Sequence, residues 1–212
     1  MKARLLAAFL IATLPAGLAA GSNSAPDQEK EQRLAAITAE AEALLADLQT
    51  RYLENNSKLQ EQTVRVRELR RLRAAGNPEP LVLQLARVDL AAMQLRFLGE
   101  HPLLKEQEQS VAAMERQWRA EAGCPEALLE AQGQLAAMQV HYGEQHPRIA
   151  DQRRKVEALQ RHLLGASAES DELRLARAMR EYCAGRYGEQ HPKMLELAEQ
   201  IAALQGRAQA AH

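Results

Sequence analysis

The chain has 212 residues, with 27 Lys and Arg against 28 Asp and Glu, for a formal net charge of −1. That balance excludes nucleic acid as the main partner, because a phosphate backbone calls for a clearly basic surface. Aromatics make up 3% of the residues, and Ala, Leu, Glu, Gln and Arg dominate; these are good helix formers, so an all-α chain is expected.

Residues 1–20 read as a secretory signal peptide. Lys2 and Arg4 precede an apolar run from Leu5 to Leu14, Pro15 breaks it, and Gly17-Leu18-Ala19-Ala20 offers small residues for cleavage. The run is too short and too broken for a good membrane span. The product is expected to be periplasmic or secreted, with membrane contact only through the signal before cleavage. Removing it leaves 25 bases against the same 28 acids. Residues 21–30 are small and polar and read as a flexible leader.

Residues 31–208 form one helical repeat domain, with 209–212 as a tail. The string Tyr-Gly-Glu-Gln-His-Pro occurs at 142–147 and again at 187–192, 45 residues on. The same step backwards reaches Phe97 and then Tyr52. In that register Ala41, Ala86, Ala131 and Ala176 are equivalent. Next come Leu45, Leu90, Leu135 and the departure Arg180, then Leu48, Met93, Met138 and Cys183. Offsets of 4, 3 and 4 up to the aromatic trace one stripe of a helix. The aromatic follows a cation at Arg51, Arg96, His141 or Arg186, which suits the negative end of a helix.

A break follows the aromatic. Gly143 and Gly188 are expected to take the left-handed conformation that ends a helix. His-Pro at 101–102, 146–147 and 191–192 then opens a second helix, with Asn56-Ser57 in the first copy. The second stripe runs through Leu59, Leu104, Ile149 and Met194, then Val66, Val111, Val156 and Ile201, then Leu69, Met114, Leu159 and Leu204. An acid recurs at Glu61, Glu106, Asp151 and Glu196. The expected fold is four helix–turn–helix repeats of about 45 residues, with about eight antiparallel helices of roughly 15–22 residues. A short α-solenoid and a closed bundle are both consistent with it. The recurring alanine predicts close helix approach.

The recurring residues at the turns read as structural: Tyr52, Phe97, His101, Pro102, Tyr142, His146, Pro147, Tyr187, His191 and Pro192. Three histidines one repeat apart are about 10 Å or more from one another, whereas zinc holds its ligands at about 2 Å. No metal or cofactor is expected. Cys124 in an inter-repeat turn and Cys183 in a core slot lie too far apart for a disulfide. Cys183 is therefore expected as a buried filler and Cys124 as a free or intermolecular thiol. Arg65, Arg67, Arg70, Arg71 and Arg73 form a basic band, either solvated beside acids or a candidate site for an anionic glycan or lipid head group. No catalytic motif emerges, so the chain is not expected to be an enzyme.

The stretch Arg186-Tyr-Gly-Glu-Gln-His-Pro-Lys-Met-Leu-Glu-Leu-Ala-Glu-Gln-Ile-Ala-Ala-Leu204 resembles the Tyr-Gly-x-x-His-Pro region of exopolysaccharide-transport and chain-length-determinant proteins, the polysaccharide co-polymerases. In that family two membrane helices flank one such segment; here the segment recurs four times. The resemblance implies extended periplasmic helices and a role in setting polymer length or coupling synthesis to export. Together these features imply a non-enzymatic scaffold or adaptor that binds a cell-envelope protein. Self-association through the long apolar stripes is a further expectation.

Overall fold

The computed structural model describes residues 25–97, 99–121, 123–165 and 169–210. The expected signal peptide lies outside them, as do residues 21–24 of the leader and 211–212 of the tail. Among the described residues the chain is all-α, with helices α1 (Ala25–Arg51), α2 (Ser57–Ala75), α3 (Leu81–Arg96), α4 (Pro102–Ala120), α5 (Glu126–Gln139), α6 (Pro147–Leu163), α7 (Asp171–Ala184) and α8 (Pro192–Ala210). None is long and apolar enough to cross a membrane. Two boundaries differ from expectation. Residues 25–30 belong to α1, not to a loose leader, and α8 continues into the tail as far as Ala210. Leader residue Lys30 has a structural role: its ammonium donates to the carbonyls of Asn77 and Glu79, both at 2.6 Å.

Each helix packs antiparallel on its neighbour in sequence, and α3 also touches α5. The odd-numbered helices therefore lie towards one side of the stack. α1 and α8 do not pack on each other, so the array is open.

The hairpins share one internal contact. Ala41, Ala86, Ala131 and Ala176 are all buried, as a close approach requires. On each of the first three, a glutamine from the second helix of the hairpin donates its side-chain amide to the alanine carbonyl. Gln62 reaches Ala41 at 2.8 Å, Gln107 reaches Ala86 at 2.8 Å, and Gln152 reaches Ala131 at 2.9 Å. In the last repeat the equivalent residue is Leu197, which cannot make this bond.

In the third and fourth hairpins the turn is built differently from the expected glycine cap. Positive φ occurs at Gly76, Gly99 and Gly123, but not at Gly143 or Gly188. Instead α5 and α7 tighten into short-range bonds at their ends, such as Val140 N–H to Ala137 O and Arg186 N–H to Cys183 O. The carbonyls of Gly143 and Gly188 accept from the backbone N–H of His146 and His191, each at 2.9 Å. Those histidines then cap the next helix. Nδ1 of His101, His146 and His191 accepts from the N–H of Leu103, Arg148 and Lys193, all at 3.2 Å. Asn56 makes the same cap in the first copy, at 2.9 Å to Lys58 N. Phe97, Tyr142 and Tyr187 stack on these histidines at centroid distances of 3.8, 4.2 and 4.1 Å. The recurring aromatics hold the turns and do not fill the core; Tyr52, with asparagine in place of histidine, is exposed.

Successive hairpins meet through the face of each odd-numbered helix. Val88, Gly133 and Ala178 are equivalent and buried against the preceding repeat. A Cβ at Gly133 would collide with Met114 Cε and lie 2.6 Å from Ser110 Oγ, so α4 and α5 approach closely enough that those side chains would have to shift for a larger residue.

Because Ala131 is fully buried beneath the Gln152 contact, Ala131→Leu is expected to lower stability by about 1–3 kcal/mol through overpacking. A fall in the thermal midpoint is the readout, and an unchanged midpoint would place the residue outside any close contact.

Candidate functional site

The basic band is largely neutralised by its own neighbours. Arg65 pairs with Asp89 at 2.7 Å and Arg70 with Glu42 at 2.7 Å, while Arg67 and Arg71 both contact Glu68, at 3.1 and 3.7 Å. Burial pushes the Asp89 carboxyl above its usual range, and the Arg65 guanidinium offsets part of that rise. Arg73 alone of the five has no carboxylate within salt-bridge distance among the described residues. The structure therefore splits the candidate anion site into local pairs on α1, α2 and α3 and does not gather it into one cationic face. His101, His146 and His191 each cap a separate turn, with Pro102, Pro147 and Pro192 opening the helices behind them. No group of three potential metal ligands occurs among the described residues.

Cys124 lies in the turn between α4 and α5, but its side chain faces inward. It is 5% exposed and belongs to the central apolar cluster with Leu128, Leu129 and Leu163. Burial, helped by the nearby Glu121 carboxylate, pushes its thiol up to about 11, against a smaller opposing effect from Gln117. An intermolecular disulfide at Cys124 would require this core to open. Cys183 is fully buried and also free.

Two surfaces of the last repeat stand open. The first is a groove of about 910 Å³ floored by α7 and walled by α8, with His162 of α6 at one end. Its α8 wall runs from Met194 to Gln205, about 17 Å along the helix. Met194, Leu195, Ala198 and Ile201 supply the apolar lining, and Leu195 is 48% exposed. Arg177, Arg180, Glu181 and Glu189 supply the charge. Two of these are held: Arg177 pairs with Glu169 at 2.8 Å, and Glu181 meets His162 at 2.7 Å as well as Arg161. Arg180 is exposed and makes no ion pair among the described residues. It stands where the other repeats carry Leu45, Leu90 and Leu135. The sequence marks it as a departure, but only the fold shows that it enters a groove.

Two sets of polar contacts lie beside the groove. Arg174 is largely buried and gathers the end of α6, donating to the carbonyls of His162 at 2.9 Å, Gly165 at 2.7 Å and Leu163. This cation at a helix C-terminus satisfies carbonyls that have no partner within the helix. Tyr182 donates to Asp151 at 2.9 Å and accepts from Arg186 at 2.8 Å; burial is the largest cause of its raised pKa.

The second open surface is a cleft of about 540 Å³ on the opposite side of the same hairpin. It is lined by Leu175, Ala176, Met179, Leu197, Ala203 and Leu204, with polar residues at its margins. It shares no lining residue with the first groove.

Cys124 and Cys183 are both buried and are expected to resist iodoacetamide in the native protein at pH 8; for Cys124, a pKa near 11 also leaves only about one part in a thousand as thiolate. Both should alkylate in denaturant, as counted by mass spectrometry. Rapid native labelling of Cys124 would contradict its burial. No protein-family model, curated protein or solved structure matches this chain.

Proposed function

We propose that this protein is an exported, non-enzymatic helical-repeat scaffold whose fourth repeat holds a helix of a cell-envelope protein. The observation that carries this reading is the groove beside α7, where Arg180, with no ion pair among the described residues, replaces the leucine of the other repeats. An exposed guanidinium beside exposed apolar side chains suits an amphipathic helix that brings a carboxylate to Arg180. Residues such as Leu195 would gain about 1.5–3 kcal/mol each on full burial, before the cost of association. Arg180 would add register more than affinity, since charges at the edge of an interface chiefly set specificity and on-rate.

The Tyr-Gly-x-x-His-Pro turns at 142–147 and 187–192 resemble those of polysaccharide co-polymerases and support an envelope partner in polysaccharide synthesis or export. Binding of an anionic glycan or lipid head group at Arg65–Arg73 is less well supported, because four of those five arginines already have acidic partners.

A photo-crosslinking residue in place of Ala198, in the tagged protein expressed in cells, tests the proposal. The expected result is an envelope protein cross-linked through a helical segment that carries an acid, with the yield falling several-fold on Arg180→Glu. A component of polysaccharide synthesis or export would support the finer reading. Only self-cross-links, or capture indifferent to Arg180→Glu, would overturn the groove as the binding site.

A further inference from the structure

The contacts between successive repeats follow a rule that leaves both ends of the array incomplete. The acid early in each of the first three second helices pairs with the basic side chain just before the aromatic of the next repeat, 35 residues on. Glu61 meets Arg96 at 3.7 Å, Glu106 meets His141, and Asp151 meets Arg186 at 2.9 Å. The acids of these three pairs are 22–27% exposed. The same register places Glu196 on α8 and Arg51 on α1, with no further repeat beside either among the described residues. Glu196 is exposed and makes no ion pair among the described residues. The Arg51 side chain is 66% exposed, against 41–43% for its three counterparts, and its one recorded pair is Asp47 of its own helix.

The apolar surfaces follow the same pattern. Leu69, Met114 and Leu159 are buried beneath the following repeat, whereas the equivalent Leu204 is half-buried. Ala158 is 3% exposed and its equivalent Ala203 lies open. At the other end, Val88, Gly133 and Ala178 are buried, but the equivalent Ala43 is exposed beside Leu44, itself 47% exposed. The end cleft is also more apolar than its internal equivalents, because Leu197 replaces the glutamine found in repeats 1 to 3. End repeats of a solitary array usually carry a polar outer face; this one presents Leu175, Met179, Leu197 and Leu204.

We infer that the end cleft of repeat 4 receives α1 of a second copy of this chain, with Arg51 of one copy on Glu196 of the other. A guanidinium has donors enough to keep Asp47 and add Glu196. The contact reproduces the internal repeat-to-repeat interface between molecules. It is heterologous, so it propagates head to tail into rings or open chains and does not stop at a symmetric dimer. This surface is separate from the groove beside Arg180.

Sedimentation velocity of the mature chain over a range of concentrations tests the inference, with circular dichroism to confirm that each variant is folded. Wild type is expected to form a concentration-dependent series extending beyond the dimer. Glu196→Arg and Arg51→Glu are each expected to weaken association about tenfold, through loss of one exposed pair and gain of a like-charge contact. A 1:1 mixture of the two variants should restore it, because every contact in the mixture can again join an acid to a base. A monomer at all concentrations, or association unchanged by both substitutions, would overturn the inference.

Discussion

The array depends on a close approach between two helices, repeated every 45 residues. A small alanine lets the second helix of a hairpin come near enough for a glutamine to reach a main-chain carbonyl. That carbonyl is already the natural acceptor of a bond within its own helix, and its second lone pair takes the glutamine N–H. At Ala41 the contact is buried, so Gln62 also meets its own need for a partner away from water. A single bond of this kind contributes only about 1 kcal/mol net. Its larger effect is on register, because a one-turn slip would leave a buried amide without an acceptor.

The contacts between hairpins are more exposed and more varied. The pairs of an acid with a basic side chain at Glu61, Glu106 and Asp151 are partly solvated, and contacts of that kind are worth about 1 kcal/mol or less each. Their value lies in recurring at one spacing, which keeps each repeat in the same orientation on the one before. The turns between repeats show no such recurrence. Lys30 and Gln84 both donate to carbonyls of the first turn, at Asn77 and Glu79. Glu126 spans further: it accepts from Leu81 N–H at 2.6 Å at the start of α3 and meets Arg33 of α1 at 3.5 Å. Each of these contacts is an individual solution to exposed helix ends.

The hairpin architecture was legible because it rests on local periodicity: apolar offsets of 3 and 4, then His-Pro, then the same offsets again. The glutamine contact carried a sequence signal as well. Gln62, Gln107 and Gln152 hold the 45-residue period and directly follow the recurring acid, but a polar residue in a helical repeat reads as surface until its carbonyl is located. Both halves of each acid–cation pair were visible; that they join across repeats is a property of the stack. Gly143 and Gly188 invited a left-handed reading that the structure replaces with a tightened helix end and a stacked histidine. Cys124 lies in the expected turn, yet the direction of its side chain depends on the α4–α5 packing. The same holds for the arginine band, whose Asp89 and Glu42 partners come from other helices.

The two outermost helices give the most direct test, since each packs mainly on one neighbouring helix and only α1 has the glutamine contact. Residue-resolved amide hydrogen exchange of the native protein compares them in one experiment. The account predicts slower exchange in α1 around Ala41 than in α8 around Leu197. Equal protection, or a better protected α8, would show that the alanine–glutamine approach does not hold the hairpins together.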